Sequence, residues 1–439
     1  MSDFTSTEKL YALFIECEQK VCTDTRKLIK GSLFFSLSGD NFNANEFAPK
    51  AIEGGCAYAI VDEEKFLVNN NIFLVKDVLQ ALQDLSNHHR RQLKIPILAI
   101  TGSNGKTTNK ELINAVLSKK YKTLATVGNL NNHIGVPLTL LSITKQHQMA
   151  VIEMGANHQG EIEMLCKIAE PDFGLITNIG KAHLEGFGGI EGVKKGKSEM
   201  YRFIEKKTGK IFVNGDDEVL NELAKANNKI SYGISESCSC VGKEFNDNEF
   251  VSFKWTTGNN ENDWNKLPVI KTKIIGHYNF INLLCAVCIG NYFKVEDKLI
   301  NEALSEYVPA MNRSQLEKTE HNTLILDAYN ANPSSMKVAI ENFAGLMADN
   351  KLIILGDMFE LGEYSNEEHK KVISFLTENK LNEVILIGSE FIKANVPKYK
   401  TFSNTNECLN YLKEQKIKNK TILIKGSRGM KLEILKEAL

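Results

Sequence analysis

Short apolar runs alternate with amphipathic stretches along most of the chain. Within residues 1–94, the runs SLFFSL, AYAIV and IFLV are separated by turns that contain Gly or Asn, and the stretch VLQALQDLSNHHRRQL follows them. After a break at Lys94-Ile95-Pro96 come the run ILAIT, a turn with two glycines and a second helical pattern. Short apolar runs predict buried strands, and apolar residues at helical spacing predict amphipathic helices. This alternation is typical of α/β domains with mostly parallel sheets.

The alternation continues to the C-terminus and divides the chain into three parts. Strand-type runs in the middle are MAVIEMG, FGLITNIG and KIFVNGD, and those after residue 323 are TLILDAY, KLIILGD, EVILIG and TILIKGS. Residues 234–272 are less periodic, and we predict that they extend the central sheet with antiparallel strands. We therefore predict an α/β protein with a small N-terminal domain over 1–94, a central P-loop-type domain over 95–312 and a C-terminal Rossmann-like domain over 313–439. No G-x-G-x-x-G follows the last set of strands, so we predict no dinucleotide cofactor there.

The length of 439 residues exceeds what one hydrophobic core supports, which agrees with several domains. Lys and Arg number 53 against 54 Asp and Glu, so no net field favours nucleic acid or an anionic membrane. The sequence contains no apolar stretch of about 18 residues, so we predict no membrane span. The N-terminal MSDFTSTEKLYALF lacks the pattern of a secretory signal. The nine cysteines are scattered, and Cys285 and Cys288 fit buried free thiols in a reducing compartment. We expect a cytoplasmic monomer without nucleic-acid or membrane partners.

A candidate phosphate-binding loop lies between the predicted strand ILAIT and the helix that follows it. The loop consists of Gly102, Ser103, Asn104, Gly105, Lys106, Thr107 and Thr108. Backbone N–H groups at the helix N-terminus can converge on phosphate oxygens, Lys106 supplies a positive charge, and the Thr107 hydroxyl can bind Mg²⁺. The usual P-loop has a Gly five positions before Gly105, where Ile100 stands here, so this loop is a shortened version. We predict that it binds phosphate groups.

The shortened loop, T-G-[ST]-x-G-K-[ST], resembles that of the Mur ligases and the folylpolyglutamate synthases. Other segments resemble the Mur ligase family, densely in the second and third predicted domains and more weakly in the first. The segments are DTR and GSLFFSLSG in the first domain, VIEMG, TNIGKAHLE, KKGKSEMY and GHYNFIN in the second, and MNRSQ, GDMFELG and KGSRGMKLE after it. GNLNNHIGVPL, EMGANHQGEI and DAYNANP resemble in particular the family member that adds D-alanyl-D-alanine.

The resemblance implies two magnesium ions beside the phosphates of ATP. Their protein ligands in the family correspond to Thr107, Glu153, His183 and Lys197. The lysine becomes a carbamate by reaction with CO₂, which turns a cation into a carboxylate-like ligand. Without the resemblance, Glu153 would be interpreted as a solvated residue after a strand and His183 as a surface histidine. Lys197 would be interpreted as part of a basic, solvated helix start, in which the sequence does not distinguish it from Lys194 and Lys195.

The resemblance also implies contacts with the nucleotide and the substrate. Asn279 and Asn282 correspond to asparagines that meet the adenine, although Tyr278 stands where the family has histidine. Arg313 corresponds to an arginine that reaches the phosphates from the hinge, and its planar fork suits that task. The remaining implied residues are Asp327 and Asn330 at the nucleotide, and Ser36, Asn131, Asn132 and Asn157 at the substrate. Asn-rich loops are also common as simple turns.

The function implied by the resemblance is ATP-dependent amide-bond formation between UDP-N-acetylmuramoyl-tripeptide and D-alanyl-D-alanine, through an acyl phosphate, in peptidoglycan precursor synthesis. Lys106, Lys197, His183 and Arg313 are the implied catalytic residues. Two alternatives share the loop: a folylpolyglutamate-type ligase, which the segment over 129–138 disfavours, and a P-loop NTPase switch. The third residue of the tripeptide, diaminopimelate or lysine, stays open.

Overall fold

The computed structural model describes residues 4–439 except 40–41, 225–227, 246–249, 259–262, 310–312, 314, 349 and 395–397. Within these residues the strands form three sheets of four, nine and six strands, and helices pack against them. The predicted α/β architecture with three parts is therefore confirmed. Residue 312, the predicted end of the second domain, and its neighbours Met311 and Ser314 lie outside the described residues.

The N-terminal part is a small parallel sheet covered by three helices. Its strands pair in chain order, and the three apolar runs of the sequence form the last three of them. The strands are β1 (Val21–Cys22), β2 (Leu33–Phe35), β3 (Tyr58–Val61) and β4 (Ile72–Leu74), and the helices are α1 (Thr7–Glu16), α2 (Ala48–Glu53) and α3 (Val78–Gln92). The Asp77 side chain accepts from the N–H of Gln80 at 2.7 Å and so caps α3. Arg90 on α3 forms an ion pair of 2.9 Å with Asp172, which joins this part to the central one.

The central part is a mostly parallel sheet with helices on both faces. Its strands are β5 (Ile97–Thr101), β6 (Thr123–Ala125), β7 (Met149–Glu153), β8 (Phe173–Ile176), β9 (Lys210–Asn214), β10 (Lys229–Gly233), β11 (Cys240–Phe245), β12 (Phe250–Thr257) and β13 (Ile270–Ile275). They lie in the order β13-β12-β11-β10-β9-β8-β5-β7-β6. Strands β12 and β13 are antiparallel, as predicted for this segment, whereas β11 joins β10 in parallel.

The helices of the central part are α4 (Lys106–Ser118), α5 (Gly135–Leu141), α6 (Glu161–Ala169), α7 (Leu184–Phe187), α8 (Ile190–Lys197), α9 (Glu199–Lys206), α10 (Glu218–Leu223), α11 (Asn279–Tyr292) and α12 (Asp297–Glu306). Helix α11 packs against α4 and is buried along most of its length, because nearly all its residues are apolar. Cys285 and Cys288 lie on it as buried free thiols, as predicted. No helix in the described ranges is long and apolar enough to cross a membrane.

The C-terminal part is a Rossmann-like sheet with an antiparallel strand at one edge. Its strands are β14 (Gln315–Lys318), β15 (Thr323–Asp327), β16 (Lys351–Gly356), β17 (Val384–Ile387), β18 (Lys400–Phe402) and β19 (Thr421–Lys425), in the order β14-β15-β19-β16-β17-β18. Its helices are α13 (Pro333–Gly345), α14 (Ser365–Glu378), α15 (Ser389–Ala394) and α16 (Thr405–Gln415). Pro333 is the first residue of α13, where its fixed φ and missing N–H are tolerated.

The strand register brings the chemistry-bearing loops to one edge of the central sheet. Ile100 pairs with Glu153 on β7, and Thr101 pairs with Ile176 on β8. Because parallel strands end on the same side, the loops that follow β5, β7 and β8 converge. In the C-terminal part, β15 and β19 pair at Asp327 and Lys425 and end together in the same way.

Candidate active site

The converging loops of the central and C-terminal parts enclose one cavity of about 830 Å³. Most of the predicted site residues line it. They are Ser103, Asn104, Gly105, Lys106, Thr107, Thr108, Asn131, Asn132, Glu153, Asn157, His183, Asn279, Asn282, Arg313, Asp327 and Asn330. Three predicted residues, Ser36, Gly102 and Lys197, are not part of this lining. The tertiary structure thus assembles residues from both domains around one space.

The phosphate loop depends on two glycines with positive φ. Gly102 has a φ of 140°, and a Cβ atom there would lie 2.0 Å from the Thr177 hydroxyl. Gly105 has a φ of 76° and precedes α4. Other residues rarely adopt these angles, so the sharp entry into the helix requires glycine. Among the described residues no side chain caps α4, which leaves its first N–H groups for an anion.

Lys106 is held at the mouth of the loop by backbone oxygens. Its Nζ donates to the carbonyls of Gly102 at 2.7 Å and Ser103 at 3.2 Å. Burial lowers the pKa of Lys106, Glu153 opposes this effect, and Arg313 adds to it. Lys106 is partly buried, and a basic side chain whose partners are carbonyls on its own loop fits a phosphate group, which supplies the missing negative charge.

The loop after β8 holds the phosphate loop in place. The N–H of Ser103 donates to the Asn178 carbonyl, and the N–H of Asn104 donates to the Asn178 side-chain oxygen, both at 3.0 Å. The Ser103 hydroxyl contacts the backbone of Gly180 at 2.9 to 3.0 Å. Asn178 lines the cavity but was not among the predicted residues. Its signal in the sequence was its position as a polar residue near the end of the strand-type run FGLITNIG.

Glu153 lies at the centre of a buried polar group beside the loop. The Thr107 hydroxyl donates to its Oε2 at 2.9 Å, and the Asn131 amide donates to its Oε1 at 2.8 Å. Only 2% of Glu153 is exposed, so the interpretation as a solvated residue is wrong. Mg²⁺ prefers hydroxyl and carboxylate oxygens, and both lie here next to the loop. The donor set therefore fits a magnesium ion at Thr107 and Glu153.

Lys197 is a buried lysine on the last turn of α8. Its exposed fraction is 1%, and its Nζ donates to the Ala156 carbonyl at 3.2 Å. Burial holds the pKa of Lys197 well below its ordinary value, Lys106 adds to this, and Glu161 and Glu199 oppose it. A lowered pKa populates the neutral amine, which is the form that reacts with CO₂.

The neighbouring lysines differ from Lys197 in their surroundings. Lys194 forms an ion pair of 3.3 Å with Glu222, and Lys195 is exposed. The alternative of a solvated basic helix start therefore describes Lys195 but not Lys197. Burial separates three lysines that the sequence could not distinguish.

His183 links the central and C-terminal domains. It adopts a left-handed backbone conformation, with a φ of 53°, at the start of α7. Its Nδ1 forms a hydrogen bond with the Glu360 carboxylate, and this bond lowers the pKa of Glu360. Among the described residues no group of three or more His, Cys, Asp or Glu side chains has the arrangement of a metal site. A role of His183 as a metal ligand stays a prediction.

The predicted adenine residues form a chain of amide hydrogen bonds at the start of α11. Asn282 donates to Asn279 at 2.9 Å and accepts from Asn109 at 2.7 Å. Asn279 donates to the Ile275 carbonyl at 2.8 Å. A Cβ atom at Gly105 would lie 3.3 Å from the Asn282 amide oxygen, so these amides border the phosphate loop directly.

The C-terminal domain brings charged groups to the other side of the cavity. Lys425 is buried and pairs with Asp327 at 2.6 Å. The Arg313 guanidinium lies 3.7 Å from the centre of the Tyr329 ring, and its buried Nε has no hydrogen-bond partner among the described residues. An arginine held by stacking keeps its donors for an anion. Asn330 lies nearby, and its carbonyl accepts from Lys425 at 3.3 Å.

Of the four predicted substrate residues, Asn131 bonds to Glu153, and the other three lie in different surroundings. Asn132 accepts from the N–H groups of Ile134 and Gly135 at 3.1 and 2.8 Å, so its side-chain oxygen caps a turn. Asn157 is exposed at the cavity, and its N–H donates to Glu161. Ser36 lies one residue beyond β2, outside the cavity, and its buried hydroxyl has no partner among the described residues.

Two domain families match the chain: the Mur ligase middle domain over residues 100–290, and the Mur ligase, glutamate ligase domain over residues 312–428. The UDP-N-acetylmuramoyl-tripeptide--D-alanyl-D-alanine ligase of Bacillus subtilis (strain 168) is 35% identical over 425 residues, which cover 94% of this chain and 91% of that protein. The chain belongs to the Mur ligase family.

Solved structures agree with membership of the Mur ligase family. MurF from Acinetobacter baumannii is 32% identical with a TM-score of 0.85, covering 95% of this chain and 92% of that one. The MurF ligase from Thermotoga maritima, solved in complex with ADP, shares the fold with a TM-score of 0.84 and 24% sequence identity. The match covers 96% of this chain and 97% of that one. In addition to Asn178, three residues that line the cavity of this Mur ligase were not among the predicted site residues: Tyr329, Glu360 and Lys425. Motifs quoted for the resemblance contain all three, but only the fold shows that they line the cavity.

Proposed function

We propose that this Mur ligase joins D-alanyl-D-alanine to UDP-N-acetylmuramoyl-tripeptide at the expense of ATP, in the cytoplasm, during peptidoglycan precursor synthesis. The observation that carries the proposal is the shared cavity, in which Glu153 bonds both to Thr107 of the phosphate loop and to Asn131 of the predicted substrate segment. Relatives that bear the name of this activity match along more than nine tenths of the chain.

The proposed reaction has two steps. The γ-phosphoryl group of ATP passes to the terminal carboxylate of the tripeptide, which forms an acyl phosphate and ADP. The amine of D-alanyl-D-alanine then attacks the acyl carbon, and inorganic phosphate leaves as the amide forms. Phosphoryl transfer depends mainly on positioning and on neutralising charge, which are the tasks we assign to Lys106 and Arg313.

We propose that Thr107 and Glu153 hold one magnesium ion, and that His183 and a carbamate on Lys197 hold a second. Magnesium supplies charge neutralisation on the phosphate oxygens when it is bound. Lys197 would gain the required negative charge when its neutral amine adds to CO₂ and loses a proton. The buried Lys197 amine, whose pKa is lowered by burial, supports this assignment.

We assign the substrate contacts by domain. The N-terminal domain, over 1–94, would bind the UDP moiety near Ser36, whose buried hydroxyl lacks a partner among the described residues. The central domain, over 95–312, would bind ATP through its phosphate loop, with Asn279 and Asn282 at the adenine. The C-terminal domain, over 313–439, would supply Asp327 and Asn330 to the nucleotide and close over the acyl phosphate to exclude water. We propose that the enzyme acts as a monomer.

Two alternatives remain distinguishable by experiment. A folylpolyglutamate-type ligase would release phosphate with a folate and glutamate, and an NTPase switch would release it without any amino-acid substrate. We propose to measure phosphate release from ATP with UDP-N-acetylmuramoyl-tripeptide, with and without D-alanyl-D-alanine. We expect release only when both are present, together with formation of the pentapeptide product. Equal release without the dipeptide would refute the proposal.

A further inference from the structure

Lys110 is a fully buried lysine that the proposed mechanism leaves without a role. It lies on α4 four residues after Lys106, and its exposed fraction is 0%. Residues four apart share one face of a helix, so Lys110 lies one turn behind the phosphate loop. Burial of an ammonium is unfavourable unless charged or hydrogen-bonding partners surround it. The partners of Lys110 therefore indicate its role.

These partners belong to three separate elements. The Lys110 Nζ donates to the carbonyls of Thr126 at 2.6 Å and Gly128 at 3.4 Å, in the segment that follows β6. It lies 3.0 Å from an oxygen of Glu111 on its own helix and 3.9 Å from Oε2 of Glu153 at the end of β7. One ammonium thus joins α4, β7 and the segment after β6.

The same segment is tied to Glu153 by further hydrogen bonds. The Thr126 hydroxyl accepts from the N–H of Glu153 at 2.9 Å. Asn131 donates its amide to Glu153 and accepts at its carbonyl from the N–H of Gly155, both at 2.8 Å. In the described part of the chain, Lys110 is the only Lys, Arg or His with a nitrogen within 4.0 Å of the Glu153 carboxylate. Lys110 therefore places a basic group directly beside this carboxylate, and Lys106 adds a longer-range attraction.

We propose that Lys110 is a positioning residue that couples the nucleotide side of the active site to its substrate side. On the nucleotide side it orients Glu153 toward Thr107. On the substrate side it fixes the backbone at Thr126 and Gly128, which leads to the asparagines at 131 and 132. The proposal rests on the proposed function, because that function assigns the two sides their ligands. A residue with a merely structural role would affect stability but neither ligand.

The test compares neutral and charged replacements of Lys110. Lys110→Met keeps the length of the side chain but removes its charge, Lys110→Gln keeps one donor, and Lys110→Arg keeps the charge. Lys119→Met is the matched control, because Lys119 directly follows the same helix and pairs with Glu306 near the surface. Mn²⁺ binding in the presence of ADP, followed by electron paramagnetic resonance, reports on the nucleotide side and needs no acceptor. The KM for UDP-N-acetylmuramoyl-tripeptide reports on the substrate side.

We expect Lys110→Met and Lys110→Gln to weaken Mn²⁺ binding by about 10–100-fold, as for other residues that orient metal ligands. We expect both variants to raise the KM for the tripeptide as well, whereas Lys110→Arg recovers most of both properties and Lys119→Met stays unchanged. Should Lys110→Met not fold, Lys110→Gln carries the same comparison.

The proposal would be overturned if a folded Lys110→Met or Lys110→Gln variant had the Mn²⁺ affinity and the KM for the tripeptide of the wild type. Loss of folding in both neutral variants would assign Lys110 a purely structural role and would overturn it equally. A wild-type protein that binds Mn²⁺ and ADP but forms no amide would instead refute the proposed function. Even in that case, the Mn²⁺ affinities of the Lys110 variants would still test whether Lys110 orients Glu153 on the nucleotide side.

Discussion

At the scale of single residues, burial decides which of several similar side chains has special chemistry. Lys197 has an exposed fraction of 1%, whereas Lys195, on the same helix, is exposed. Water surrounds the side chain of Lys195. Lys197 lacks that solvation, and burial lowers its pKa so that its neutral form can react.

Replacement of Lys197 by Ala should lower the rate of ADP release by at least about 10²-fold, the size of effect seen when one electrostatic contact to a transition state is lost. A small carboxylic acid such as formate should partly restore the rate, because its carboxylate can occupy the space of the proposed carbamate. Lys195→Ala is the matched control and should turn over normally. Unimpaired turnover in Lys197→Ala would contradict the carbamate assignment.

Replacement of Lys106 by Ala should abolish ADP release while the protein stays folded. The folded state tolerates the change because, among the residues that the structure describes, the Lys106 ammonium bonds only to the carbonyls of Gly102 and Ser103. We expect a loss of at least about 10²–10³-fold in turnover, with an unchanged circular dichroism spectrum. Lys120→Ala, which alters an exposed lysine beyond the same helix, serves as the control. Normal turnover in Lys106→Ala would refute the assignment of the phosphate loop.

At the scale of elements, the turn from β5 into α4 is the feature on which the site depends. The strand ends at Thr101 and the helix begins at Lys106, so only four residues reverse the chain. Gly102 and Gly105 make this possible through positive φ angles. The same compact turn leaves the first N–H groups of α4 without side-chain caps within the described residues. The geometry of the turn and the uncapped N–H groups that we propose bind phosphate therefore have one cause.

Gly102→Ala should destabilise the protein by about 2–5 kcal/mol, because backbone strain adds to overpacking against Thr177. Gly31→Ala is the matched control: Gly31 also has a positive φ, of 75°, but a Cβ there meets no atom within 4 Å. It should cost only about 1–2 kcal/mol. Urea unfolding of both variants measures the difference. Equal losses would show that the contact with Thr177 contributes nothing.

At the scale of the whole molecule, the C-terminal domain lies against the central domain across the active site. Asn332 donates to the side chain of Asn104 at 2.7 Å, and the N–H of Lys181 donates to the Ser334 hydroxyl at 2.9 Å. The Lys181 ammonium pairs with Glu368 at 2.7 Å. These three contacts are polar, and buried apolar residues of both domains, among them Leu184 and Leu361, also belong to one hydrophobic cluster. Interfaces between domains of one chain permit relative motion unless they are large and hydrophobic. The arrangement suits a domain that opens for substrates and closes for reaction.

Glu368→Gln should weaken closure and raise the KM for ATP by up to about fivefold. The Lys181 side chain is 42% exposed and the Glu368 side chain 6%, and because water at Lys181 screens the pair, we expect it to contribute about 1 kcal/mol. Glu367→Gln is the matched control, since Glu367 is exposed and contacts Lys371 within the same domain. Small-angle scattering with an ATP analogue should show a wider separation of domains only in Glu368→Gln. Identical scattering and identical KM values for ATP in the two variants would show that the Lys181–Glu368 ion pair does not contribute to domain closure.

Several features could be predicted from neighbouring residues alone. The strands, the glycine turn and the helix after it follow from local apolar spacing and from the conformational freedom of glycine, as Gly102 and Gly105 show. The motifs that carry the resemblance to the Mur ligases are also local. The antiparallel strands β12 and β13 were predicted from composition, but the parallel pairing of β11 with β10 was not.

The sequence by itself determined the three α/β domains and the glycine turn before α4, because both depend on residues close together in the chain. Only the tertiary structure decided that Lys197 and Lys110 are buried, that Lys425 pairs with Asp327, and that Asn178 holds the loop. Burial and long-range pairing depend on which strands become neighbours and on which helices cover them. That information is distributed over the whole chain, so no local pattern contains it.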